Sequence, residues 1–582
     1  MNHTHTPNRR HPRPLGQPIR TILTIVLATL TAATSAPAET PLELALDSVT
    51  QGDLARHINT LASDSLQGRL AGTDGGRAAG SYLVHQLRSN GLEGAGVDKD
   101  FYQEFSEKGF RNVLAVLPGN DPKLKNRYIV VGAHYDHVGL GTKTTSLGAL
   151  GQIHNGADDN ASGTAAVLEV AQALAQTRGL ARGRSILFVF WDAEELGLLG
   201  SKHWTNHPTI PVSSIDMALN VDMVGRLRNS KLFVYGSRSG AGLRQLAAQP
   251  NALLKHPLAI QFDWDLKANS DHHPFFAKGV PVLFLHTGLH ENYHRPSDDA
   301  NLIAYDGLET ITRLMIRLTL DAACKTSLPE YRQAAGMESE SYRHQLESAA
   351  LTAQQRLGAT WDEDLAQQGI IRLTRVTRKT AADHAKLKKG DRLLELAGWE
   401  INDVDEFCKR LLAADSTIAV VTQRRKKKKQ PTQTTLSLPG DGRRLGFEWY
   451  TDEAEPKTVI VRGVVPTSPA DRAGLKDADR ILALDDRSIA SVPDLRKRLN
   501  RPSATMTLQV ERQGRFQTIR FGSPTTTAAW MLASPVSNRP GWYTRSWPRF
   551  PGDAFVWRCC SVGPSPPGCA LLASCQPVTR GA

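Results

Sequence analysis

The chain has 582 residues, of which 40% are hydrophobic and 22% are charged, so it has room for two to four globular domains with a large buried core. Its net charge of +12 could suggest a nucleic-acid partner, but six of the positive charges form a single run at 424–429. We interpret this run as a solvated hairpin tip, with an anionic envelope polymer as the alternative ligand. No nucleic-acid partner is expected, because the chain is predicted to be exported.

Residues 1–38 have the pattern of a secretory signal peptide. Arginines precede the apolar run 22–30, and Ala36-Pro37-Ala38 offers a small-residue cleavage site. The alternative is a membrane anchor, but the apolar run is far shorter than the roughly 20 residues that a span needs, and no later segment is long enough. We therefore predict a periplasmic or secreted protein with no membrane span in the mature chain.

Residues 39–330 are predicted to form one α/β domain. Four continuous β-branched and apolar runs are typical of strands buried on both faces, at 129–137, 185–195, 217–223 and 280–286. Between the first two runs, residues 161–176 are rich in Ala and Leu at helical spacing. This order predicts a mostly parallel central sheet flanked by helices. Ligands of such sheets bind beyond the carboxyl ends of the strands, so polar residues at these ends are expected to converge.

Three of the candidate metal-site regions lie at the end of a predicted strand or in the loop that follows it. His134 and Asp136 form an H-x-D pair, in which the acid can accept the second N–H of the imidazole. Asp222 ends a buried run, where an unpaired carboxylate would cost several kcal/mol. His294 lies in the loop after the last run, and Asp298 is expected to orient it.

Two pairs of adjacent acids complete the predicted site. Asp158 and Asp159 precede a helix, where N-capping would explain one acid but not both. A carboxylate placed at a helix start can bridge two cations, and we assign this position to Asp159. Glu194 and Glu195 cannot point the same way in an extended chain, so we expect one of them to bind metal and the other to face the substrate.

The resulting ligands are imidazoles and carboxylates, a set that suits zinc or a similar divalent ion. Three carboxylates and two imidazoles exceed what one tetrahedral ion uses, so we predict two ions about 3.5–4 Å apart. His137, His286 and His290 remain alternative ligands.

The motifs AHYDH, GADDNASG, FWDAEELGLLGS, NVDMVG and YHRPSD occur in this order and together resemble the zinc-dependent aminopeptidases of peptidase family M28 over residues 60–320. The resemblance implies that Asp159 bridges two Zn²⁺ ions per chain. It also implies that the other ligands form two pairs, His134 with Asp222 and Glu195 with His294. By the same resemblance, Asp136 supports His134 and Glu194 is the general base.

A helical linker is predicted at 331–355, after which the chain repeats itself at a constant offset. The segment Arg356-Leu357-Gly358 of the first repeat recurs as 444–446 in the second. The repeats, 356–438 and 439–522, resemble PDZ domains, which implies small β-rich domains that bind C-terminal peptides by adding a strand to a sheet edge. The first repeat has Ala359 where the second has Phe447, so a packing role without a free peptide is the alternative.

Residues 523–582 contain Pro, Ser, Trp and Cys in no periodic order, which predicts a disordered tail. The sequence as a whole predicts an exported di-zinc aminopeptidase that removes N-terminal residues from peptides. The alternatives are an M28-like carboxypeptidase, dipeptidase or glutaminyl cyclase, and a non-catalytic PDZ scaffold that binds peptides.

Overall fold

An α/β domain is followed by two small β-rich sheets, so the predicted fold class is confirmed. The computed structural model describes residues 40–177, 180, 182–348, 352–414, 417–424, 430–438, 446–465, 468–489, 491–499 and 505–522. The predicted signal peptide and tail lie outside these residues, as does most of the basic run. Among the helices described, none is long and apolar enough to span a bilayer.

The elements are numbered in chain order. The helices are α1 Pro41–Asp47, α2 Gln51–Leu61, α3 Asp74–Ser89, α4 Gly163–Gln176, α5 Leu199–Asn206, α6 Leu243–Ala252, α7 His272–Ala277, α8 Tyr305–Cys324, α9 Glu340–Ser348, α10 Ala353–Leu357, α11 Glu363–Gln367, α12 Ala381–His384, α13 Val404–Ala413, α14 Pro469–Arg472 and α15 Val492–Leu499. The strands of the α/β domain are β1 Glu93–Gly94, β2 Tyr102–Phe105, β3 Phe110–Leu117, β4 Tyr128–His134, β5 Ser185–Trp191, β6 Ile215–Val221, β7 Lys231–Tyr235, β8 Ala259–Phe262 and β9 Val282–His286. The later strands are β10 Ala359–Trp361, β11 Ile371–Val376, β12 Arg392–Leu396, β13 Trp399–Glu400, β14 Thr417–Gln423, β15 Thr432–Ser437, β16 Glu448–Tyr450, β17 Val459–Arg462, β18 Arg480–Leu484, β19 Arg487–Ser488, β20 Thr505–Arg512 and β21 Arg515–Gly522.

Within the described residues, the central sheet has nine strands in the order β1-β3-β5-β4-β6-β9-β7-β8, with β2 beside β3. The four central strands β5, β4, β6 and β9 are parallel, whereas β3 and β7 run antiparallel to β5 and β9. The parallel centre explains the continuous apolar runs, because both faces of these strands are covered. In β4, for example, Ile129 and Val131 join one buried cluster and Val130 joins another.

The two later sheets share one strand order, β10-β11-β12-β14-β15 in the first and β16-β17-β18-β20-β21 in the second. This shared topology accounts for the sequence repeat. In the first sheet the repeated Arg356 is buried, and its guanidinium donates to the carbonyl groups of Leu411, Leu412 and Ala414 at 2.6 to 2.7 Å. This arginine therefore satisfies carbonyl groups at the end of α13.

Buried ion pairs join the second later sheet to the α/β domain. Arg244 of α6 donates to both carboxylate oxygens of Glu511 in β20, at 2.6 and 3.1 Å, and both side chains are buried. Arg238 donates to both oxygens of Asp452, at 2.7 and 3.0 Å. Bidentate pairs of this kind fix orientation as well as distance, so this sheet is held against the α/β domain in one orientation.

The tip of the β20–β21 hairpin also covers the edge of the central sheet. The amide of Ile260, in the edge strand β8, donates to the carbonyl of Gln513 at 2.8 Å. Asn251 donates from Nδ2 to the carbonyl of Gly514, also at 2.8 Å. A Cβ at Gly514 would lie 2.8 Å from Ile260 Cβ, so the hairpin can approach this closely only with glycine at that position.

The segment predicted as a linker packs against the α/β domain and against the second later sheet. Its helix α9 carries Arg343, which donates to the carbonyl of Phe262 at 3.2 Å. From the other side, Arg462 donates to the carbonyl of Leu346 at 3.2 Å. Glu338, just before α9, pairs with Arg238 at 2.5 Å. This segment is thus part of the contact between the α/β domain and the second later sheet.

We expect Arg244→Ala to lower the free energy of unfolding by about 3 kcal/mol, because it leaves the carboxylate of Glu511 buried without its partner. Thermal and urea unfolding of the full chain measure this loss. Arg375→Ala is the matched control, since this arginine is exposed on β11, and it should change stability by less than about 0.5 kcal/mol. Equal stability of Arg244→Ala and the unmodified chain would contradict the structural role of the pair.

Arg244 also lies 3.6 Å from the carboxylate of Glu455, and this contact predicts that stability depends on pH. Burial raises the pKa of Glu455, but Arg480 and Arg244 outweigh it and lower the pKa from 4.5 to about 2. Since the folded pKa lies below the unfolded one, this carboxylate stabilises the fold above its unfolded pKa, and the contribution is lost as the pH falls through the folded pKa. The melting temperature of Glu455→Gln should therefore vary less between about pH 5 and pH 3 than that of the unmodified chain. Parallel pH profiles would contradict this assignment.

Candidate active site

The predicted site residues meet at the carboxyl ends of the central parallel strands. A cavity of about 350 Å³ opens there, beyond β4, β5, β6 and β9. It is lined by His134, Asp159, Glu194, Glu195, Asp222 and His294, among others. The structure therefore brings together six of the seven predicted site residues around one space, and the seventh, Asp136, lies directly behind them.

One cluster forms around His134, the last residue of β4. Its Nε2 atom lies 3.4 Å from Asp159 Oδ1 and 3.4 Å from Asp222 Oδ1. The second oxygen of Asp222 accepts a hydrogen bond from Ser270 Oγ at 2.8 Å. Ser270 thereby leaves Oδ1 of Asp222 facing His134. The sequence analysis missed Ser270, and the only signal for it was its place just before the acid and histidines at 271–273.

A second cluster forms around His294. Its Nε2 atom lies 3.1 Å from Asp159 Oδ2 and 3.1 Å from Glu195 Oε2. Asp159 thus directs one carboxylate oxygen to each cluster. Burial opposes a charge on His294, but hydrogen bonds with Asp159 and Glu195 outweigh it and raise its pKa to about 11. This shift shows that the second cluster strongly favours positive charge.

Glu194 and Glu195 follow β5 in a turn rather than in an extended chain. Glu194 lies with His134 and Asp222, and Glu195 lies with His137 and Asp159, so the two carboxylates belong to different groups. Their assignment to metal and to substrate stays a prediction. Ala193, just before them, has a φ of 56°, which takes the chain out of the extended conformation. Both carboxylates then line the same cavity. Burial raises the pKa of Glu194 well above its usual value, although His134 partly offsets this.

Asp136 lies between His134 and Glu194. Its Oδ1 atom accepts a hydrogen bond from the backbone N–H of Glu194 at 3.0 Å and lies 3.7 Å from His134 Nδ1. The backbone carbonyl of Asp136 is closer to that nitrogen, at 3.2 Å. Asp136 therefore contacts the turn that carries Glu194 as well as the imidazole that it was expected to support.

The prediction that Asp298 orients His294 is wrong. Its Oδ2 atom instead accepts hydrogen bonds from the backbone N–H groups of Asp158 and Asp159, each at 3.0 Å. Its Oδ1 atom is buried without a hydrogen-bond partner in the described part of the chain. Asp298 thus fixes the loop that presents Asp159, a contact between residues far apart in sequence.

The three alternative histidines have other partners. His290 Nε2 lies 3.1 Å from Asp158 Oδ2, and His286 Nδ1 accepts from the backbone N–H of Gly288 at 2.6 Å. His137 Nδ1 lies 2.8 Å from Glu195 Oε1. Of the three, only His137 contacts one of the predicted ligands directly.

Arg69, in the glycine-rich segment 68–80, lies fully buried under the site. Its guanidinium donates to four backbone carbonyls: those of Leu61, Tyr135, Asn155 and Gly156. Burial lowers the pKa of Arg69 to about 10, although neighbouring carboxylates partly offset this shift. Arg69 therefore ties the loop that follows His134 to the loop that leads to Asp159.

The electrostatics of the site indicate an excess of negative charge. Burial raises the pKa of Asp192 and of Asp271 to about 7, and that of Asp298 to about 6. The donor set of carboxylate oxygens and imidazole nitrogens fits zinc. Within the residues described, ligand atoms of His134, Glu194 and Asp222 all lie within 4.8 Å of one another, as do those of His137, Asp159 and Glu195.

The rest of the cavity wall includes apolar and aromatic side chains, beside the polar Asn269 and His286. Met223 follows Asp222 directly, and Tyr235 stacks on Phe284 with ring centroids 5.3 Å apart. Leu289 and Tyr293 lie on the loop that leads to His294. The cavity thus combines the two charged clusters with an apolar wall.

Comparison with known proteins supports the sequence resemblance. Residues 112–319 match the sequence model of peptidase family M28, and residues 444–521 match that of the PDZ domain. The leupeptin-inactivating enzyme 1 of Streptomyces exfoliatus is 33% identical over 265 residues, which cover 45% of this chain and 53% of that protein. The aminopeptidase YwaD of Bacillus subtilis is 29% identical over 238 residues, covering 39% and 48%. The chain thus spans about half the length of the curated relatives that it matches.

Among solved structures, the LapA aminopeptidase of Legionella pneumophila is similar with a TM-score of 0.41 and 19% identity, over 49% of this chain and 75% of that chain. The resemblance drawn from the motifs is confirmed by the two sequence models and the curated relatives. The chain is therefore similar to peptidase family M28 over residues 112–319 and to the PDZ domain over residues 444–521.

Proposed function

We propose that the chain is a zinc aminopeptidase that uses two zinc ions in the cavity at the carboxyl edge of the central sheet. The observation that carries this proposal is the orientation of Asp159. One of its oxygens lies 3.4 Å from His134 Nε2, and the other lies 3.1 Å from His294 Nε2. A carboxylate shared in this way between two imidazole-containing clusters suits a pair of ions.

In this proposal, His134 and Asp222 hold one ion, Glu195 and His294 hold the other, and Asp159 contributes an oxygen to each. Zinc, when bound, supplies a Lewis acid that polarises a carbonyl group and lowers the pKa of water. The Ser270 hydrogen bond to Asp222 and the Asp298 bonds to the loop of Asp159 hold two of these carboxylates in place.

We assign the proton transfer to Glu194. Its carboxylate lies in the same cavity, beside His134 and Asp222. In the proposed reaction it accepts a proton from the attacking water and later donates that proton to the amine that leaves. Asp136 holds the backbone of Glu194 through the 3.0 Å hydrogen bond, and thereby positions this base.

The apolar wall formed by Met223, Tyr235, Phe284 and Leu289 favours peptides with an apolar N-terminal side chain.

For the PDZ domain we propose binding of peptide C-termini. Its strand β16 is an edge strand, which pairs with β17 on one side. An extended peptide can add as a further strand on the other side of β16. Export of the protein remains a proposal that rests on the sequence of residues 1–38.

Metal content and peptide cleavage test this proposal together. The purified protein should contain about two zinc ions per chain, release N-terminal amino acids from a mixed peptide panel, and lose this activity in a chelator until zinc is restored. Zinc without N-terminal release would favour a carboxypeptidase, a dipeptidase or a cyclase. A protein that binds no metal would instead support a peptide-binding scaffold.

Glu194→Gln should reduce kcat by about 10²- to 10⁴-fold, because the amide cannot accept the proton from water. Zinc content should stay unchanged, since Glu194 is not among the proposed ligands. Glu107→Gln, at an exposed loop position, is the matched control and should keep the activity of the unmodified chain. Near-normal turnover in Glu194→Gln would exclude Glu194 as the base.

A further inference from the structure

His137 was an alternative metal ligand in the sequence analysis, and the proposed reaction gives it no role. It follows Asp136 in the loop after β4 and is fully buried. Its Nδ1 atom lies 2.8 Å from Glu195 Oε1, a shorter distance than the 3.1 Å between His294 Nε2 and Glu195 Oε2. The imidazoles of His137 and His294 meet edge to face, with centroids 5.6 Å apart.

The two oxygens of Glu195 therefore have different partners. His294 Nε2 lies 3.1 Å from Glu195 Oε2 and 3.1 Å from Asp159 Oδ2. These distances are as expected for three ligand atoms around one ion. His137 Nδ1 is 3.9 Å from Asp159 Oδ2, farther than the 3.1 Å of His294 Nε2, although the ligand atoms of His137, Asp159 and Glu195 lie within 4.8 Å of one another. The geometry is that of a hydrogen bond to the outer oxygen of Glu195.

Packing fixes the orientation of the His137 ring. A Cβ at Gly156 would lie 2.6 Å from His137 Cγ, so the ring occupies space that only a glycine at 156 leaves free. The backbone N–H of His137 donates to the carbonyl of Arg69 at 3.3 Å. Because the ring is buried and packed on these loops, Nδ1 faces Glu195 without the freedom of a surface side chain.

We propose that His137 is a positioning residue for the second zinc ion, which donates a hydrogen bond from Nδ1 to Glu195 Oε1 and leaves Oε2 to bind the ion. This inference rests on the proposed two-ion site. Hydrogen bonds to ligating carboxylates typically contribute 10- to 100-fold to metal affinity. Loss of the bond should therefore weaken the Asp159–Glu195–His294 site and spare the site of His134 and Asp222.

Zinc titration of the metal-free full chain against a chromophoric chelator tests the proposal without measuring catalysis. We expect two sites in the unmodified chain and, in His137→Leu, a loss of about 10- to 100-fold at one site only. His137→Asn can still donate from its amide close to the position of Nδ1 and should restore most of this loss. Rescue by Asn separates the hydrogen bond from mere filling of space.

His57→Leu is the matched control. His57 is equally buried and lies 3.0 Å from the carboxylate of Glu169, but neither residue belongs to the cavity. It should lower the melting temperature and leave both zinc affinities within about threefold of the unmodified values, a difference of less than 1 kcal/mol. If the unmodified chain binds no zinc pair, the proposed function fails; if it does and His137→Leu binds both ions normally, only the role of His137 fails.

X-ray absorption of the unmodified chain with two zinc ions gives an independent readout, even if a variant does not fold. A positioning role for His137 leaves His134 and His294 as the imidazole ligands, about one imidazole per zinc on average. A count of about 1.5 would mean that His137 binds zinc itself and would overturn the positioning role.

Discussion

The burial of several carboxylates at one edge of the central sheet is the constraint around which the α/β domain is arranged. Asp192, Asp271 and Asp298 have pKa values raised by burial to about 6 or 7, and Glu194 is shifted in the same direction. Such a group is tolerable only with buried donors and positive charge nearby. Arg69 and the backbone amides of the loops supply part of this compensation, and bound cations would supply the rest. The ordering of the loops and the proposed chemistry therefore have a common origin.

The sequence predicted those parts of the site that depend on regular structure. His134 and Asp222 could be placed because continuous apolar runs end at them, and Asp159 because a helix begins just after it. Where the chain leaves regular structure, no pattern predicted the geometry, as at the turn of Ala193, after which Glu194 and Glu195 both line the cavity. The partners of Asp298 and the contact between His137 and Glu195 join distant segments, and no local pattern encodes such contacts.

The same limit applies to residues 331–355, the predicted linker between the α/β domain and the first repeat. Its polar, Ala- and Glu-rich composition predicted a linker helix, and α9 does form, but the function of its charges depends on arginines elsewhere. Glu338 pairs with Arg238, which also holds Asp452 of the PDZ domain. Composition cannot distinguish a solvated helix from one whose charges are paired in the folded chain. The repeat was detectable, whereas the way in which its second copy binds to the peptidase domain was not.

The hairpin tip on β8 covers part of an edge strand of the central sheet. An edge strand offers free N–H and C=O groups on which a second chain can add a strand, and proteins commonly cover or interrupt such edges. Here the amide of Ile260 is already bonded to Gln513, and Arg244 beside it is neutralised by Glu511. The hairpin of the second later sheet thus covers this part of the β8 edge. An α/β domain cut free of that sheet would expose the amide of Ile260 together with the unpaired charge of Arg244, and such an edge favours association between chains.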